Sequence, residues 1–182
     1  MDQYNKERRQ VFRVLISVSD KEKIVDFARA LDSLEIEIVS TGGTYQTISE
    51  KGIDVIPVEK VTNFPEMMGG RVKTLHPLIF GGILARDSDS EDAEKHNIDF
   101  FDMVICNLYP FREAVSKGVD SESLIEEIDI GGPSLLRAAS KNHARVAVVS
   151  DPADYDWIID EIKAGGLTLL HRQDLALKAF RH

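Results

Sequence analysis

The sequence has one cysteine, no excess of positive charge and no long hydrophobic run, and each of these shortages excludes a class of protein. A single cysteine, Cys106, cannot form an internal disulfide, which excludes a disulfide-stapled fold and fits a reducing compartment. No segment approaches the roughly 20 apolar residues of a membrane-spanning helix. Residues 1–10 are polar and lack the apolar core of a secretion signal. We therefore expect a cytoplasmic protein, with no membrane partner, whose residues 1–10 form a flexible arm.

Positive charge is also in short supply, because 22 lysines and arginines face 31 aspartates and glutamates, for a net charge of −9. A nucleic-acid-binding domain normally carries a basic excess or a basic stripe, so we expect no nucleic-acid partner. A local basic pocket for a small anion is compatible with an acidic protein. No spacing of His, Cys and carboxylates resembles a metal site, so none is predicted.

Hydrophobic patterning predicts alternating strands and helices over the 182 residues. Short β-rich runs occupy residues 12–18, 36–39, 55–58, 103–107 and 145–149. Helical patterns occupy residues 24–34, 44–51, 89–96, 121–128, 131–141, 151–162 and 169–180. Several strands are continuous apolar runs, as in parallel sheets that are covered on both faces. We predict an α/β fold with three layers, Rossmann-like, in which a largely parallel five-stranded sheet carries helices on both faces.

Residues 59–86 break this pattern, since Pro65, Pro77 and several glycines interrupt them. We expect a long, mostly irregular stretch there, and its apolar content argues against disorder. The main domain is predicted over residues 11–152, with further C-terminal helices over residues 153–182.

Polar residues collect where the predicted strands end, which is where open α/β sheets bind ligands. The rim after the first strand contains Ser17, Ser19 and Lys21, and the rim after the fourth contains Asn107, Leu108 and Tyr109. The second strand leads into Ser40-Thr41-Gly42-Gly43-Thr44. Glycines, hydroxyls and a following helix N-terminus suit a phosphate, but a tight turn with a threonine N-cap explains the same residues.

Three further groups have both a structural and a functional interpretation. Arg71 and Lys73 alternate, so an extended backbone would aim both the same way; they form either a solvated pair or, as the neighbouring glycines and apolar residues favour, a ligand-facing one. Asp129 precedes Gly131-Gly132 at a helix start, where it can cap the helix or hold a ligand. Lys141 ends that helix, and its default role is to offset the helix dipole.

Taken together, these segments resemble the family of N-terminal IMP cyclohydrolase domains in bifunctional enzymes that also carry AICAR transformylase. The matching segments are residues 15–21, 40–44, 62–66, 70–77, 82–86, 107–111, 128–132, 136–143 and 175–180. The Gly-Gly-Thr loop is shared across the wider methylglyoxal-synthase-like superfamily. The segment from Arg71 to Pro77 and the Asp129-Ile130-Gly131-Gly132 motif are more specific.

The resemblance implies a methylglyoxal-synthase-like fold and ring closure of FAICAR to IMP with loss of water, without metal or cofactor. It implies phosphate and ribose contacts from Ser19, Asp20, Lys21, Ser40, Gly42, Gly43 and Thr44. It implies base-side contacts from Arg71, Lys73, Thr74, Asn107, Leu108, Asp129 and Ile130. Ser17, Thr41, Gly131 and Gly132 complete the predicted substrate-binding set.

Lys141 matches the family's catalytic lysine, and our hypothesis gives it the proton transfer. Lys73 and Tyr109 polarise the reacting groups or relay protons, and Asp129 holds the carboxamide. The oxyanion is stabilised by Lys73, Lys141 or the Asn107 amide. The family continues into a formyl-transfer domain that uses 10-formyltetrahydrofolate, toward which we expect residues 153–182 to lead. A homodimer is expected in the full-length family.

Three alternatives remain open at this point, of which an interaction protein with a decayed site is the least favoured because the motifs are intact. A regulatory module that only binds a nucleotide would not require the set of Lys73, Asp129 and Lys141. A phosphate-eliminating synthase of the methylglyoxal type would require an acidic base close to the phosphate loop, for which Asp20 is the candidate.

Overall fold

The structure, a computed structural model, describes residues 7–68, 71–109, 115, 116, 118, 120–126 and 128–182. Gly70, Pro110, Phe111 and residue 127 of the predicted helix lie outside these residues, as does most of the predicted arm. The strands in the described ranges are β1 (Arg8–Arg9), β2 (Arg13–Val18), β3 (Glu37–Ser40), β4 (Ile56–Pro57), β5 (Met103–Asn107), β6 (Ala147–Val149) and β7 (Leu167–Thr168).

Helices connect these strands. They are α1 (Ile24–Ser33), α2 (Gly42–Ser49), α3 (Val58–Thr62), α4 (Pro77–Leu84), α5 (Ser90–Lys95), α6 (Ser121–Glu126), α7 (Gly131–Lys141), α8 (Tyr155–Lys163) and α9 (Leu169–Arg181). Short 3-10 turns at Asp87–Asp89 and Pro152–Asp154 precede α5 and α8. Of these helices, none has the length and apolar character that crossing a bilayer requires.

Five of the strands form one parallel sheet in the order β4-β3-β2-β5-β6. Successive side chains of a strand point to opposite faces, so Val14, Ile16 and Val18 enter one core while Leu15 enters the other. The first core contains residues of α1 and α8, and the second contains residues of α4, α7 and α9. The predicted three-layer α/β fold is confirmed.

Residues 153–182 pack onto the same sheet as the rest of the chain. Ile158 and Leu175 lie in the first core, and Ala176 and Ala179 lie in the second. Helix α9 thus contributes to both apolar layers, so this segment belongs to the main core.

The predicted flexible arm is wrong for its last part. Arg8–Arg9 form β1, which pairs antiparallel with β7, and Arg8 lies opposite Thr168. The Arg8 guanidinium also donates to the Gly166 carbonyl, 2.6 Å away. The pairing partner lies about 160 residues later, and local sequence patterns carry no information about it.

The predicted irregular stretch over residues 59–86 is wrong at both of its ends, where α3 and α4 lie. Helix α4 begins as a regular helix should, with Pro77 in its first turn and His76 as N-cap, whose Nδ1 accepts from the Leu78 N–H. Gly81 and Gly82 predict a break, yet the helix continues through them. A side chain at Gly82 would collide with the Asp99 carbonyl, so this glycine permits close packing rather than ending the helix.

Candidate functional site

A cleft of about 650 Å³ opens at the carboxyl ends of β2, β3 and β5, a volume that suits a small molecule. Fifteen predicted residues line it. They are Ser17, Ser19, Lys21, Thr41, Gly43, Thr44, Arg71, Lys73, Thr74, Asn107, Tyr109, Asp129, Ile130, Gly131 and Gly132. The remaining predicted residues, Asp20, Ser40, Gly42, Leu108 and Lys141, are not among its lining residues.

The hydroxyls of the 40–44 loop fasten the loop to β2. Ser40 is fully buried, and its Oγ donates to the Ile16 carbonyl at 2.8 Å. Thr44 Oγ1 donates to the Val18 carbonyl at 3.0 Å and accepts from the Val18 N–H at 3.2 Å. These contacts fix the loop rigidly beneath the cleft and leave the two hydroxyls little capacity for a ligand.

Backbone groups at the start of α2 border one end of the cleft. Thr41 is the N-cap of α2, but its hydroxyl lies 2.9 Å from Ser17 Oγ instead of bonding to the helix backbone. The N–H groups of the first helical turn, at Gly42 and Gly43, have no partner within the helix. Gly43 lines the cleft, and the helix dipole favours negative charge beside this first turn, which suits an anion such as phosphate.

Lysines add positive charge to the same end. Lys73 Nζ lies 3.2 Å from the point where a Cβ on Gly42 would be, so its ammonium group reaches the loop. Lys21 is exposed and lines the same cleft beyond the end of β2. In the described part of the chain, neither lysine takes part in an ion pair.

Asp129 and the start of α7 form the other polar part of the cleft. Asp129 Oδ1 accepts a 2.8 Å hydrogen bond from the Gly132 N–H, which is the helix-capping role that its position allows. The carboxylate has capacity for further donors. The buried Thr74 hydroxyl lies beside Gly131, 3.2 Å from where a Cβ on that glycine would be. The N-terminus of α7, the Asp129 carboxylate and the Thr74 hydroxyl thus lie close together.

The Asn107 side chain organises the turn that follows β2. Its Oδ1 accepts from the N–H groups of Ser19 and Asp20, at 2.7 and 2.9 Å, and its Nδ2 donates to the Asp20 carbonyl at 3.0 Å. The Asp20 carboxylate accepts from the Glu22 N–H and is exposed. Asn107 is therefore engaged in positioning backbone, and Asp20 is directed toward its own turn.

Lys141 lies apart from the cleft. It is the exposed last residue of α7, nine positions after Gly132, which at 1.5 Å per residue puts its backbone about 14 Å from the cleft end of the helix. The structure does not bring Lys141 together with the other predicted catalytic residues. Its position is the one that offsets the helix dipole.

Several lining residues were not predicted from the sequence. They are Val18, Leu75, Ile125, Glu126 and Ile128. Ile125 and Ile128 are largely exposed and give the cleft an apolar side. Ile125 and Ile128 are three residues apart, as on one face of a helix, and that pattern predicts core as readily as a binding surface.

Cys106 is buried beside the start of α7, with its Sγ 3.7 Å from the Gly132 carbonyl. Burial, and next the charge of Asp129, raise the pKa of the thiol to about 12. The thiol is thus protonated at neutral pH. Among the described residues, no three metal-ligating His, Cys, Asp or Glu side chains come together.

Two family models match the sequence. The model of the MGS-like domain matches residues 23–134, and the model of the AICARFT/IMPCHase bienzyme matches residues 139–182. The first match contains most of the cleft, and the second contains Lys141 and helices α8 and α9.

Curated relatives and a solved structure are similar over nearly the whole chain. The bifunctional purine biosynthesis protein PurH of Aquifex aeolicus is 54% identical over 173 residues, which cover 93% of this chain and 34% of that protein. The protein of the same name from Streptococcus gordonii is 55% identical over 175 residues, with the same coverage. The chain thus spans about a third of the length of these relatives. A structure described as the crystal structure of ForH matches with a TM-score of 0.83 and 36% identity, over 93% of this chain and 90% of that one.

Proposed function

The chain belongs to the MGS-like domain family, and on that premise we propose that it is an IMP cyclohydrolase domain, which closes FAICAR to IMP with loss of water. The observation that carries this proposal is a cleft that is lined both by the start of α2, which suits a phosphate, and by the polar residues at the start of α7. The bienzyme model over residues 139–182 and the names of the purine-biosynthesis relatives support the same reaction.

At the phosphate end, the residues of this chain hold the nucleotide. The N–H groups of Gly42 and Gly43 bind phosphate oxygens, and Lys73 and Lys21 balance their charge. Because the reaction is intramolecular, a grip that holds the carboxamide against the formyl group can remove roughly 7–11 kcal/mol of the barrier. No metal or cofactor enters this scheme.

At the other end, the residues around α7 act on the reacting groups. Asp129, whose Oδ1 caps the helix, accepts from the carboxamide N–H and orients its nitrogen. The oxyanion that forms at the former formyl oxygen is stabilised by the Thr74 hydroxyl and the α7 N-terminus, and one such donor is typically worth about 2.7–4 kcal/mol. As the C=N bond forms and the C–O bond breaks, the carboxamide nitrogen and the formamido nitrogen each give up one proton. Tyr109 relays a proton to the oxygen, which leaves as water. Asn107 Nδ2 donates one N–H to the Asp20 carbonyl, and its second N–H is the donor for the oxyanion role proposed for this residue.

The resemblance also gives Lys141 the proton transfer, and that role remains a proposal which the cleft geometry does not support. A residue about 14 Å along the helix would need a further rearrangement to reach the ligand. The role requires Lys141→Ala to slow cyclisation, and a full cyclisation rate in that variant would rule it out.

Turnover is the direct test of the proposed function. The chain is mixed with FAICAR and purine formation is followed by ultraviolet absorbance. Lys73→Gln should lower kcat/KM by about tenfold to a hundredfold, since a charged hydrogen bond is worth about 1.5–3 kcal/mol. Lys95→Gln, on the exposed helix α5, is the matched control and should leave the rate unchanged. No turnover by a folded chain would overturn the proposal and favour a nucleotide-binding module.

A phosphate-eliminating synthase is less well supported. That chemistry requires an acidic base within the phosphate site, but the exposed Asp20 bonds within its own turn and does not line the cleft.

The wider setting is also proposed. We infer a cytoplasmic protein that acts as a homodimer at full length. In the whole protein, transformylase activity with 10-formyltetrahydrofolate would reside outside these 182 residues. The nucleotide FAICAR or IMP is the partner of this chain.

A further inference from the structure

Arg71 does not face the cleft freely, because a carboxylate from another segment holds its guanidinium. Arg71 Nε donates to Glu126 Oε2 at 3.1 Å, and Arg71 Nη2 donates to Glu126 Oε1. Such a fork-to-fork contact fixes the orientation of a guanidinium as well as its position. The same fork of Arg71 cannot at the same time bind a phosphate.

The contact joins two segments that border the cleft. Arg71 immediately precedes Val72, the second residue of the Met67↔Val72 bridge. Glu126 is the last residue of α6, 55 positions after Arg71 in the sequence. Both side chains line the cleft. The pair therefore connects the turn that carries Lys73 and Thr74 to the apolar side that carries Ile125.

The cations of the cleft are divided between two tasks. Lys21 and Lys73 have no ion-pair partner in the described ranges, and Lys73 reaches the phosphate loop. Arg71 is the cleft cation whose charge is already balanced. Because Glu126 balances its charge and fixes its orientation, Arg71 has a structural role within the site.

We propose that Glu126 is a positioning residue for the cyclohydrolase site, which holds Arg71 in place and with it the turn that presents Lys73 and Thr74 to the nucleotide. This inference rests on the proposed function for its substrate. Both partners are more than half exposed, at 62% and 59% of the side chain, so the pair contributes little to global stability and its removal leaves a folded protein.

Two substitutions at Glu126 separate positioning from simple charge repulsion. Glu126→Asp keeps the negative charge but shortens the reach to Arg71. Glu126→Gln keeps the length but removes the charge and the paired fork. If Glu126 only repelled the anionic ligand, Glu126→Gln would lower the KM for FAICAR and Glu126→Asp would leave it unchanged. If Glu126 positions Arg71, both variants raise KM.

The experiment measures kcat and KM for the wild type, both Glu126 variants, Arg71→Ala and the double variant Arg71→Ala/Glu126→Gln. We expect KM to rise about threefold to tenfold in each Glu126 variant while kcat changes less than twofold. In the Arg71→Ala background, Glu126→Gln should have no further effect. Glu91→Gln, on the exposed surface of α5, is the control for a lost carboxylate.

A lower KM in Glu126→Gln, or additive effects in the double variant, would overturn the inference. If the wild type does not turn over, the proposed function fails separately, and the same variants are titrated with IMP. The positioning role would still be supported if both Glu126 variants bound IMP more weakly than the wild type and Glu126→Gln caused no further weakening in the Arg71→Ala background. IMP binding equal to that of the wild type in the Glu126 variants would refute it.

Discussion

Gly132 sets the geometry around Asp129 at the scale of single residues. A Cβ at this position would lie 2.3 Å from Asp129 Oδ2 and 2.7 Å from Leu108 Cδ2, closer than real Cβ contacts allow. The carboxylate lies against the backbone of Gly132 and accepts a hydrogen bond from its N–H group. Glycine is required here because the carboxylate occupies the space of a side chain.

Gly132→Ala should displace Asp129 and lower kcat/KM at least tenfold, with a loss of about 1–3 kcal/mol in the free energy of unfolding from overpacking. Gly43→Ala is the matched control for stability, since nothing lies within 4 Å of a Cβ there. Thermal denaturation and initial rates on both variants check this. An equal loss of stability in the two variants would contradict it.

The thiol of Cys106 is shielded and should be chemically inert in the folded chain. It is 1% exposed, and its pKa of about 12 leaves almost no thiolate at pH 8. A colorimetric disulfide reagent at pH 8 should label less than a tenth of the protein in an hour, and all of it in guanidinium. Rapid labelling of native protein would show that the second core opens readily.

At the scale of elements, α7 joins core packing to the site. Its Leu135 and Ala139 lie in the second core, and its N-terminus forms the second polar end of the cleft. Asp129 serves both purposes at once, as the cap that starts the helix and as the carboxylate proposed to hold the substrate. We therefore expect substitutions of Asp129 to change stability and activity by different amounts.

Asp129→Asn keeps an oxygen for the Gly132 N–H but loses the charge at the helix N-terminus, worth about 0.3–1 kcal/mol of stability. Asp129→Ala should lose a further ~0.5–2 kcal/mol with the cap. Both variants should lose most cyclisation, because neither offers a carboxylate to the carboxamide. Urea denaturation and initial rates measure the two effects, and unchanged kinetics in Asp129→Asn would remove Asp129 from the scheme.

Helix α4 illustrates how an element can be missed from sequence. Its amino end carries a regular start signal, with His76 before Pro77, but Gly81 and Gly82 have low helix propensity and argue for a loop. The helix forms because Ile79 and Ile83 are fully buried in the second core. Tertiary packing overrides local propensity here, and local propensity was all that the sequence pattern contained.

At the scale of the whole molecule, Arg145 connects distant parts of the fold. The guanidinium is 4% exposed and donates to the carbonyls of Ala85, Gly82 and Phe101 as well as to the Asp102 carboxylate. Burial lowers its pKa, while the charge of Asp102 opposes that shift. One side chain thus provides hydrogen-bond donors for carbonyl groups at the end of α4 and in the segment that leads into β5.

Arg145→Met should lower the free energy of unfolding by about 3–5 kcal/mol, since Asp102 and three carbonyls lose a buried partner. Arg29→Met, on the exposed face of α1, is the control and should change stability by less than about 0.5 kcal/mol. Urea unfolding followed by circular dichroism gives both values. A loss below about 1 kcal/mol for Arg145→Met would mean that water replaces these contacts.

The sequence by itself determined the α/β class, the parallel sheet and the group of segments around the cleft. These follow from local patterns, because apolar runs, helix starts and glycine loops are each encoded within a few neighbouring residues. The loop over residues 40–44 and the helix start after Asp129 could be placed at the cleft for the same reason.

Only the tertiary structure decided what each polar group does. In the folded chain, the Ser40 and Thr44 hydroxyls donate hydrogen bonds to carbonyls of β2. Arg71 pairs with Glu126, and Lys141 lies at the end of α7 that is far from the cleft. A buried or closely packed polar group takes the partner that the fold brings to it, and that partner is commonly tens of residues away in sequence. Hydrogen-bond satisfaction is a property of pairs in space, which residue spacing along the chain does not encode.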